Sequence, residues 1–567
     1  MATKYNFLGK EITGKFTIPS GIITTSSKTI KKVAQDIPEI GVITTKSIGP
    51  SPRLGHREPI MTQYAPGCFM NAVGLTNPGA DEFAKQLKEL RNNHPNLLKN
   101  KFLLTSIFGG TIDEYVKVAK LLAPYSDGLE LNLSCPNAKG LGIAMGQDPA
   151  IVKEITQKVK NAVSIPVIPK LTPNVPNIGE IAVAAVEGGA DAICAINTVG
   201  PGSYTVEGNP VLTNTKGGMS GKSILPIGLG CVNDIKIAFK KNNKQVPIIA
   251  TGGICKAKDI EEYKHAGGNI FAIGSALIGL TSPELVEYFK LLEEDTINKT
   301  NNAFKKLKHD IDMSFTKYKL VDNTKTVDDF SILTFDNNIN IKAGEFIFIW
   351  IPGKGEKPFS VLDNNPLKLA IQERGCFTKE LVKLELGTEC YIRGPYGTSI
   401  NPKEHGFKNK KKVILVAGGS GLAAVYQFAK DFSKDYEVEI FFGARSKQHL
   451  YFTEECKLHG NLHISTNDGS FGNKGFVTDS LNKWLKDNEE INKEYDLLFF
   501  NCGPEVMIDA STNIQIKYTP RELIFNSIEY LTKCGVGICG ACSDRNGKRI
   551  CVDGPFIKEE IVTINNN

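Results

Sequence analysis

Four cysteines near the end of the chain have the spacing of an iron–sulfur site. Cys534, Cys539, Cys542 and Cys551 are arranged as C-x4-C-x2-C-x8-C, which is typical of a plant-type [2Fe–2S] cluster. Glycines between them let the backbone turn tightly around an inorganic core and point its amides at the sulfur atoms. A zinc ribbon is the alternative, but it usually contains two C-x2-C pairs. We therefore predict a carrier of single electrons that serves two-electron chemistry elsewhere in the chain.

A second set of chemically capable residues lies at the ends of short apolar runs in the first half of the chain. Polar side chains end four of these runs and glycines end two more; the residues are Lys46, Asn132, Lys170, Asn197, Thr198, Gly252, Gly253, Gly274 and Ser275. Glycines at two such positions let bare backbone amides approach a phosphate group. The pattern predicts a cofactor that carries a phosphate.

The apolar runs alternate with amphipathic helical stretches such as DEYVKVAKLL. The predicted strands are KFTIPSG, GVITTKS, FLLTSIF, GLELNLS, IPVIPKL, AICAINT, PIIATGG and IFAIGSA. Eight β/α units over about 280 residues fit an α/β TIM barrel, which keeps its chemistry at the carboxyl ends of the strands. A doubly wound open sheet is the alternative.

One cysteine of this half, Cys135, lies just beyond the fourth predicted strand. The glycine-rich stretch that follows it, NAKGLGIAMGQDP, predicts a mobile loop. A thiol at the edge of a cofactor site can act as a general base when its surroundings adjust its pKa. The flanking amides of Asn132 and Asn137 both donate and accept hydrogen bonds, which suits a planar ring such as a pyrimidine.

The composition excludes several classes of protein. The chain has 567 residues, 41% of them hydrophobic, and a formal net charge of +6 with its basic and acidic residues interspersed. These values indicate several globular domains and do not suggest nucleic-acid binding. We find no signal peptide and no apolar run long enough for a membrane span. Thirteen cysteines without a secretion signal favour a cytoplasmic protein that uses thiols for metal binding and catalysis.

Six motifs of the first half occur in the order found in a known enzyme family. TKSIGPSPRLGH, MNAVGLTNPG, ELNLSCPN, AINTV, KGGMSG and ATGGI resemble the class 1 dihydroorotate dehydrogenases. In that family FMN lies in the mouth of a TIM barrel. The resemblance implies that FMN is held by Ser20, Gly21, Lys46, Asn132, Lys170, Ser220, Gly221, Gly252, Gly253, Gly274 and Ser275.

The same resemblance implies roles at the substrate. Cys135 would remove a proton from ring carbon 5 of dihydroorotate while a hydride leaves carbon 6 for the flavin. Lys170 would stabilise the negative charge of the reduced flavin, and Lys46 would span flavin and substrate. The residues implied to face the substrate are Lys46, Asn71, Gly74, Leu75, Asn132, Asn137, Asn197 and Thr198.

The second half of the chain has a different pattern, and we divide the whole chain accordingly. Residues 1–300 form the predicted barrel, and the polar stretch 301–311 predicts a partly helical linker. Short β runs such as EFIFIWIP predict a small antiparallel barrel over 312–405. A strand, a glycine turn and a helix start in KKVILVAGGSGLAAVYQFAK predict a nucleotide-binding α/β domain over 406–515. The cysteine segment, 516–567, ends the chain.

This order of domains resembles the ferredoxin reductase superfamily, and in particular the electron-transfer subunit that pairs with class 1B dihydroorotate dehydrogenases. KPFS and ERGCFTKEL resemble its FAD motifs, which implies FAD contacts at Pro358, Phe359, Ser360, Gly375 and Thr378. GGSG, GARSK, NDGSFGNKGF and NCGPEVM resemble its nicotinamide side, which implies Gly418, Gly419, Gly421, Cys502, Gly503 and Pro504. The chain departs from the usual motifs at Lys357, Ser420 and Ala424.

Both halves imply one activity that is normally divided between two subunits. It is the oxidation of (S)-dihydroorotate to orotate in pyrimidine biosynthesis, with electrons passing from FMN through the [2Fe–2S] cluster and FAD to NAD+. A flexible link between the halves would give each half an effective concentration on the order of mM at the other. Because class 1 barrels pair, we expect a homodimer through the barrel.

Two alternatives stay open. One is a dihydrouracil or dihydrothymine dehydrogenase, whose barrel is a close relative and which GIAMGQDP and KLTPNV resemble equally well. The intact MNAVGLTNPG, and Asn137 where that relative usually has histidine, favour orotate. The other is an electron-transfer module with an inactive barrel, against which the retention of Cys135, Lys46 and Lys170 argues. The sequence does not distinguish NAD from NADP.

Overall fold

The computed structural model describes residues 3–133, 142–327, 329–401, 403 and 410–559. By the contacts among its residues the chain divides into two compact units. The first contains the described residues up to Ser314 together with Val536–Arg549, and the second contains Phe315–Gly535 and the described residues from Ile550 onward. Each unit is therefore built from two separate parts of the sequence, and the cysteine segment contributes to both.

Eight parallel strands form the centre of the first unit. In the order of the chain they are Phe16–Thr17, Val42–Thr44, Phe102–Ile107, Gly128–Asn132, Val167–Leu171, Ile193–Ala195, Ile248–Thr251 and Ile270–Ala272, here β1 to β8. The sheet order is β1-β8-β7-β6-β5-β4-β3-β2, and all seven pairings are parallel. A parallel bridge from Phe16 to Ile40, just before β2, joins the two edges. The predicted TIM barrel is confirmed.

A long helix follows each strand before the next one begins. These helices, α1 to α8, are Ser27–Asp36, Ala80–Asn93, Ile112–Leu122, Pro149–Ala162, Ile178–Glu187, Leu225–Lys241, Ala257–Ala266 and Ser282–Asn298. Their starts follow from local sequence: the Thr111 and Asp148 side chains cap α3 and α4, and Thr281 forms a capping box with Glu284 at α8. Such caps satisfy amides that have no partner within the helix.

Smaller elements complete the barrel at both ends. The hairpin Lys4–Phe7 and Lys10–Thr13 packs Phe7 and Ile12 into the apolar cluster inside the barrel. At the opposite end, the loops after β2 and β6 form a four-stranded antiparallel sheet. Its strands are Met61–Ala65, Cys68–Asn71, Val199–Gly202 and Gly217–Gly221. The remaining short elements are Gly142–Gln147, Thr205–Val206, Asn209–Pro210 and, in the predicted linker, Asn302–Lys305.

The second unit begins with an antiparallel sheet of seven strands. They are Thr316–Val327, Phe330–Phe335, Phe346–Ile351, Gly355–Ser360, Asp363–Asn364, Leu367–Gln372 and Glu389–Tyr396, here β9 to β15. The order is β12-β11-β15-β9-β10-β14-β13, and every pairing is antiparallel. One helix, α9 at Cys376–Leu381, lies between β14 and β15. This is the antiparallel fold that the sequence predicts.

A second sheet of seven strands has the order of a nucleotide-binding fold. Its strands are Lys410–Gly418, Glu437–Ala444, Asn461–Thr466, Asn473–Lys474, Tyr495–Cys502, Ile524–Ser527 and Ile557–Lys558, here β16 to β22. The order is β19-β18-β17-β16-β20-β21-β22, and only β22 runs antiparallel to its neighbour. Because β21 pairs with β20, the sheet continues past residue 515, where the predicted nicotinamide domain ends. Its helices are Leu422–Phe432, Thr453–Lys457, Val477–Asp487, Glu489–Asn492, Glu505–Gln515 and Ile550–Asp553.

Over the described residues, the helices include none that is both long and apolar enough to cross a membrane.

Lys101, at the start of β3, is a buried cation at the amino end of the barrel. Its Nζ donates to the carbonyl oxygens of Ile37, Pro38 and Ile40 at 3.1, 2.8 and 2.7 Å. Burial lowers the pKa of Lys101 from 10.5 to about 8, although the negative charges of Glu39 and Glu293 oppose this shift. The ammonium group therefore organises the turn before β2 at the cost of desolvation.

We expect Lys101→Met to destabilise the barrel by about 2 kcal/mol at neutral pH, because buried carbonyl oxygens lose their donor. Between pH 8 and 10.5 the unfolded lysine binds a proton that the folded one has lost, so the unchanged protein gains stability as the pH rises. The gap in melting temperature between the two proteins should therefore widen over this range. Thermal unfolding at pH 7, 8, 9 and 10 measures the gap, and a gap that narrows with pH would contradict this account.

Candidate active site

Lys170 lies on β5 and its side chain is buried at the carboxyl end of the barrel. Its Nζ donates to Ser20 Oγ at 3.0 Å, in the loop after β1. The same Nζ lies 4.0 Å from Oε1 of Glu130, a buried carboxylate on β4 that accepts a hydrogen bond from Ser106 Oγ at 2.8 Å. Contacts to both a hydroxyl and a carboxylate fix the ammonium group in place. A cation held in this way suits a site where negative charge develops.

A chain of amide groups crosses the same end of the barrel. Asn132, the last residue of β4, donates through Nδ2 to Ser47 Oγ at 3.0 Å. Its Oδ1 accepts from Asn197 Nδ2 at 3.3 Å, and Asn197 Oδ1 accepts from the Thr198 backbone amide at 2.8 Å. Three residues predicted to face the substrate, from the ends of β4 and β6, are therefore joined.

The four-stranded sheet brings Asn71 toward these residues. Asn71 is paired in register with Gly218, and its Nδ2 donates to the Gly218 carbonyl oxygen at 3.4 Å. A Cβ atom on Gly218 would lie 2.2 Å from Thr198 Oγ1, so only glycine allows the sheet to approach Thr198. Asn71 and Thr198 thus border one pocket of polar groups, although they are far apart in the sequence.

Three other predicted substrate residues lie in the segments that follow β2. Lys46 is buried two residues beyond β2, and its backbone amide donates to the Thr24 carbonyl oxygen at 3.1 Å. Gly74 and Leu75 lie in the loop that follows Asn71, and both have a left-handed backbone with φ of 78° and 55°. Leucine rarely adopts this conformation, which marks a constrained loop.

The residues predicted to bind the FMN phosphate form a backbone-lined cradle. Ser275 Oγ donates to Ser220 Oγ at 2.8 Å, so the segments after β6 and β8 meet. Gly253 has φ of 73°, and a Cβ atom there would lie 2.7 Å from Cβ of Leu225, the first residue of α6. Gly221 has φ of 95°, and a Cβ atom would lie 2.2 Å from the Gly67 carbonyl oxygen. Glycine backbone beside a helix start fits a phosphate group.

The remaining FMN residues are placed around the same end of the barrel. Gly252, with φ of 132°, follows β7, and its carbonyl oxygen accepts from Tyr263 OH at 2.7 Å. Gly274 lies directly before Ser275, and Gly21, with φ of 86°, has open space where a Cβ atom would stand. The chain thus supplies a site that fits FMN.

The sequence analysis missed four residues that organise this site. Glu130, Ser106 and Ser47 form the hydrogen-bonded layer beneath Lys170 and Asn132, with Ser47 Oγ and Ser106 Oγ 2.8 Å apart. Asn174 donates through Nδ2 to the Thr198 carbonyl oxygen at 3.2 Å and accepts from the Gly200 amide at 2.9 Å. A glutamate inside the apolar run GLELN was the available signal, because a charge in a buried strand needs a partner.

Two predicted residues, Cys135 and Asn137, lie outside the described residues. Their roles as general base and substrate ligand stay predictions.

The predicted FAD residues lie on two neighbouring parts of the antiparallel sheet. Pro358, Phe359 and Ser360 end β12, which pairs with β11. Gly375 precedes α9, and Thr378 Oγ1 accepts from the Gly375 amide at 3.1 Å. A Cβ atom on Gly375 would contact nothing within 4 Å. This open helix start fits a phosphate group of the FAD that the resemblance assigns to it.

A buried ion pair joins β12, the strand of the predicted FAD residues, to β15. Arg393 donates to both carboxylate oxygens of Glu356, at 2.5 and 2.8 Å, and both side chains are almost fully buried. The guanidinium group also donates to the Cys534 carbonyl oxygen at 3.1 Å and lies 4.1 Å from the centre of the Phe348 ring. The pair therefore connects β12 and β15 to the first cysteine of the predicted cluster.

The nicotinamide residues come from two adjacent strand ends of the nucleotide-binding sheet. A Cβ atom on Gly421 would lie 2.2 Å from the Cys502 carbonyl oxygen, and one on Gly503 would lie 3.0 Å from the Gly418 amide nitrogen. The glycine turn after β16 thus packs on the Cys502-Gly503-Pro504 turn after β20. Open α/β sheets bind ligands at such a crevice. Burial raises the pKa of Cys502 to about 12, so its thiol is neutral.

The four cysteines of the predicted cluster are buried thiols. Gly535, Gly537 and Gly540 between them have left-handed backbones, with φ of 81°, 73° and 68°, as a tight loop around a cluster requires. In the described parts of the chain, the structure does not bring three or more His, Cys, Asp or Glu side chains into the geometry of a metal site. The assignment of the four thiolates as ligands stays a prediction that their spacing and burial support.

The fold and these sites define an oxidoreductase with a TIM barrel, a reductase-like module and an iron–sulfur segment. Residues 2–288 match the family model described as dihydroorotate dehydrogenase, residues 415–513 match an oxidoreductase NAD-binding domain, and residues 529–563 match the iron–sulfur cluster binding domain of dihydroorotate dehydrogenase B. The first match covers half of the chain, so the chain belongs to the dihydroorotate dehydrogenase family. The predicted joining of these parts in one chain is confirmed, as are the NAD and iron–sulfur cofactors, and flavin binding is typical of these families.

Individual relatives agree with the family match. The chain is 40% identical over 275 residues to proteins described as "Dihydroorotate dehydrogenase B (NAD(+)), catalytic subunit" from Methanosarcina acetivorans and Methanocaldococcus jannaschii. Each match covers 48% of this chain, and 85% and 87% of the two relatives. The similarity therefore spans nearly the whole of each relative and the barrel of this chain.

We expect Gly253→Ala to release FMN selectively, since the new Cβ atom would collide with Leu225 and strain the backbone. The FAD of the same molecule is an internal reference: the ratio of FMN to FAD extracted from the purified protein should fall about tenfold, which corresponds to about 1.4 kcal/mol. Gly230→Ala is the control, because a Cβ atom there meets nothing within 4 Å. An unchanged ratio in Gly253→Ala would remove this glycine from the phosphate cradle.

Proposed function

We propose that this chain oxidises (S)-dihydroorotate to orotate in pyrimidine biosynthesis and delivers the electrons to NAD+. The balanced reaction is dihydroorotate + NAD+ → orotate + NADH + H+. The observation that carries the proposal is the joined set of Asn132, Asn197 and Thr198 beside Lys170 at one end of a barrel of this family. The printed names of the relatives, which specify dihydroorotate and NAD(+), support the choice of substrate and acceptor.

The polar residues of the pocket match the substrate group by group. A dihydropyrimidine ring alternates C=O and N–H groups, and the side chains of Asn71, Asn132 and Asn197 can each donate and accept. Lys46 is buried and precedes Ser47, whose Oγ accepts from Asn132, and its positive charge favours an anionic ligand. Dihydroorotate carries a carboxylate that dihydrouracil lacks, so the charge of the pocket favours dihydroorotate.

The chemical step divides between a base and a cation. Cys135 takes the proton from ring carbon 5, and a bound FMN supplies the acceptor for the hydride from carbon 6. Lys170, held by Ser20 and Glu130, stabilises the negative charge that develops at this end of the barrel. Asn132 and Asn197 hold the ring in the plane that the transfer needs.

The rest of the chain carries the electrons away. The proposed order is FMN, the cluster on Cys534, Cys539, Cys542 and Cys551, FAD, and NAD+. A [2Fe–2S] cluster holds one electron at a time, whereas FAD collects two and can pass on a hydride. The domain boundaries given above, a cytoplasmic location and assembly as a homodimer through the barrel belong to the same proposal. The boundaries rest on the changes in sequence pattern, the location on the cysteine content, and the homodimer on the resemblance.

The test is the steady-state oxidation of L-dihydroorotate, followed by the appearance of orotate and NADH in equal amounts. We expect activity with NAD+ and none with dihydrouracil. Cys135→Ala should keep its FMN yet lose about 10²–10⁴-fold in rate, as expected for a general base. Cys231→Ala, which alters a half-buried thiol on α6, is the control.

Two outcomes would reject the proposal. Oxidation of dihydrouracil in preference to dihydroorotate would identify a dihydropyrimidine dehydrogenase. Near-normal activity of Cys135→Ala would remove this thiol from the mechanism.

A further inference from the structure

Part of the cysteine segment packs on the barrel itself. Residues Val536–Arg549 belong to the first unit although more than 200 residues separate them from Ser314. Two hydrogen bonds between backbones join them to it: the Gly279 amide donates to the Val536 carbonyl oxygen at 3.0 Å, and the Ile23 amide donates to the Ile538 carbonyl oxygen at 2.8 Å. The loops after β8 and β1 therefore receive this segment.

These are the two loops that carry part of the FMN site. Ile23 follows Gly21 by two residues, and Gly279 follows Ser275 by four. Because β1 pairs in parallel with β8, the two loops are neighbours. The cysteine segment is thus fixed to the same part of the barrel end that holds Ser20, Gly21, Gly274 and Ser275.

Arg549 ties the two sides of this contact together. Its side chain is 1% exposed. One terminal nitrogen donates to the Gly537 carbonyl oxygen at 2.7 Å, within the cysteine segment, and the other donates to the Leu280 carbonyl oxygen at 2.9 Å, in the loop after β8. A planar guanidinium group can make both bonds in fixed directions, whereas a lysine ammonium group is a single point charge.

Close packing leaves little freedom for the segment to move. A Cβ atom on Gly540, between Cys539 and Cys542, would lie 2.1 Å from Thr25 Oγ1. Gly547 has φ of 78°, and a Cβ atom there would lie 2.7 Å from the Lys28 carbonyl oxygen. The loop around the predicted cluster therefore lies directly against the residues after β1, with only glycine at the points of contact.

We propose that Arg549 is a positioning residue for electron transfer between FMN and the cluster. It holds the cysteine segment on the FMN loops of its own barrel, so that each electron passes from the reduced FMN to the oxidised cluster within one chain, with no bond made or broken. The direction of electron flow, from FMN to the cluster, rests on the proposed function. The positioning by Arg549 applies to electron transfer in either direction. Loss of the arginine would remove the hydrogen bonds to Gly537 and Leu280 and loosen the cysteine segment on the barrel.

The test follows the transfer from the NADH side, so that it does not depend on the barrel's substrate. In an anaerobic stopped-flow experiment on the complete protein, NADH first reduces FAD and the cluster, and FMN bleaches last. We expect Arg549→Lys to keep its iron content, the spectrum of its reduced cluster and the rate of cluster reduction. FMN bleaching should slow about tenfold or more, because its partner has lost a fixed position. Arg545→Lys, an exposed arginine of the same segment, is the control and should leave every step unchanged.

A second pair of variants separates positioning from folding. Gly540→Ala pushes the segment away from Thr25 without altering Arg549 and should slow the same step. Adding Thr25→Ala removes the colliding Oγ1 and should restore part of the rate. FMN bleaching at the unchanged rate in both Arg549→Lys and Gly540→Ala would overturn the proposal.

The proposed function has its own distinct failure. If L-dihydroorotate does not bleach FMN in the unchanged protein while NADH does, the proposed substrate is wrong, and the Arg549 result still decides the positioning role.

Discussion

The eight strands of the barrel all run in one direction, and this constraint brings together the predicted site residues at the strand ends of the first unit. Because their carboxyl ends meet at one end of the barrel, Lys170 reaches Ser20 across 150 positions of sequence, and Ser220 meets Ser275. The pairing of β1 with β8 makes the first and last loops neighbours. These two loops therefore form the surface on which Val536–Arg549 packs.

Three of the buried charges occur near points where the proposed chemistry creates or moves charge. Lys170 lies against Glu130, Arg393 is paired with Glu356, and Arg549 donates to two backbone carbonyls. Burying a charge costs more than its partners usually return, and breaking such a pair leaves an uncompensated charge. We interpret these groups as devices that fix geometry, since apolar residues would stabilise the fold at lower cost. Their bonds reach the predicted substrate residues, the strand of the predicted FAD residues and the cysteine segment.

Much of the site follows from the sequence, because strand ends can be recognised and the fold dictates that they meet. Lys170, Asn132 and Asn197 were predicted from this rule alone. Glu130 was missed because its role depends on Lys170 of the next strand, which the pattern of its own strand, GLELN, does not reveal. The packing of Val536–Arg549 on the barrel could not be predicted, since backbone hydrogen bonds such as that from Gly279 to Val536 leave no pattern in side-chain types. The extent of the nucleotide-binding sheet was missed for a similar reason: β21 is only four residues long and follows a helix and a turn.

The central claim is that one chain carries the complete path from a dihydropyrimidine to a nicotinamide. The most direct test mixes the purified protein anaerobically with L-dihydroorotate, dihydrouracil or NADH and records flavin bleaching and cluster absorbance. We predict that dihydroorotate and NADH each reduce both flavins and the cluster, whereas dihydrouracil reduces none of the three. Bleaching by NADH alone would contradict the account, because the reductase half would then work without a barrel that oxidises dihydroorotate.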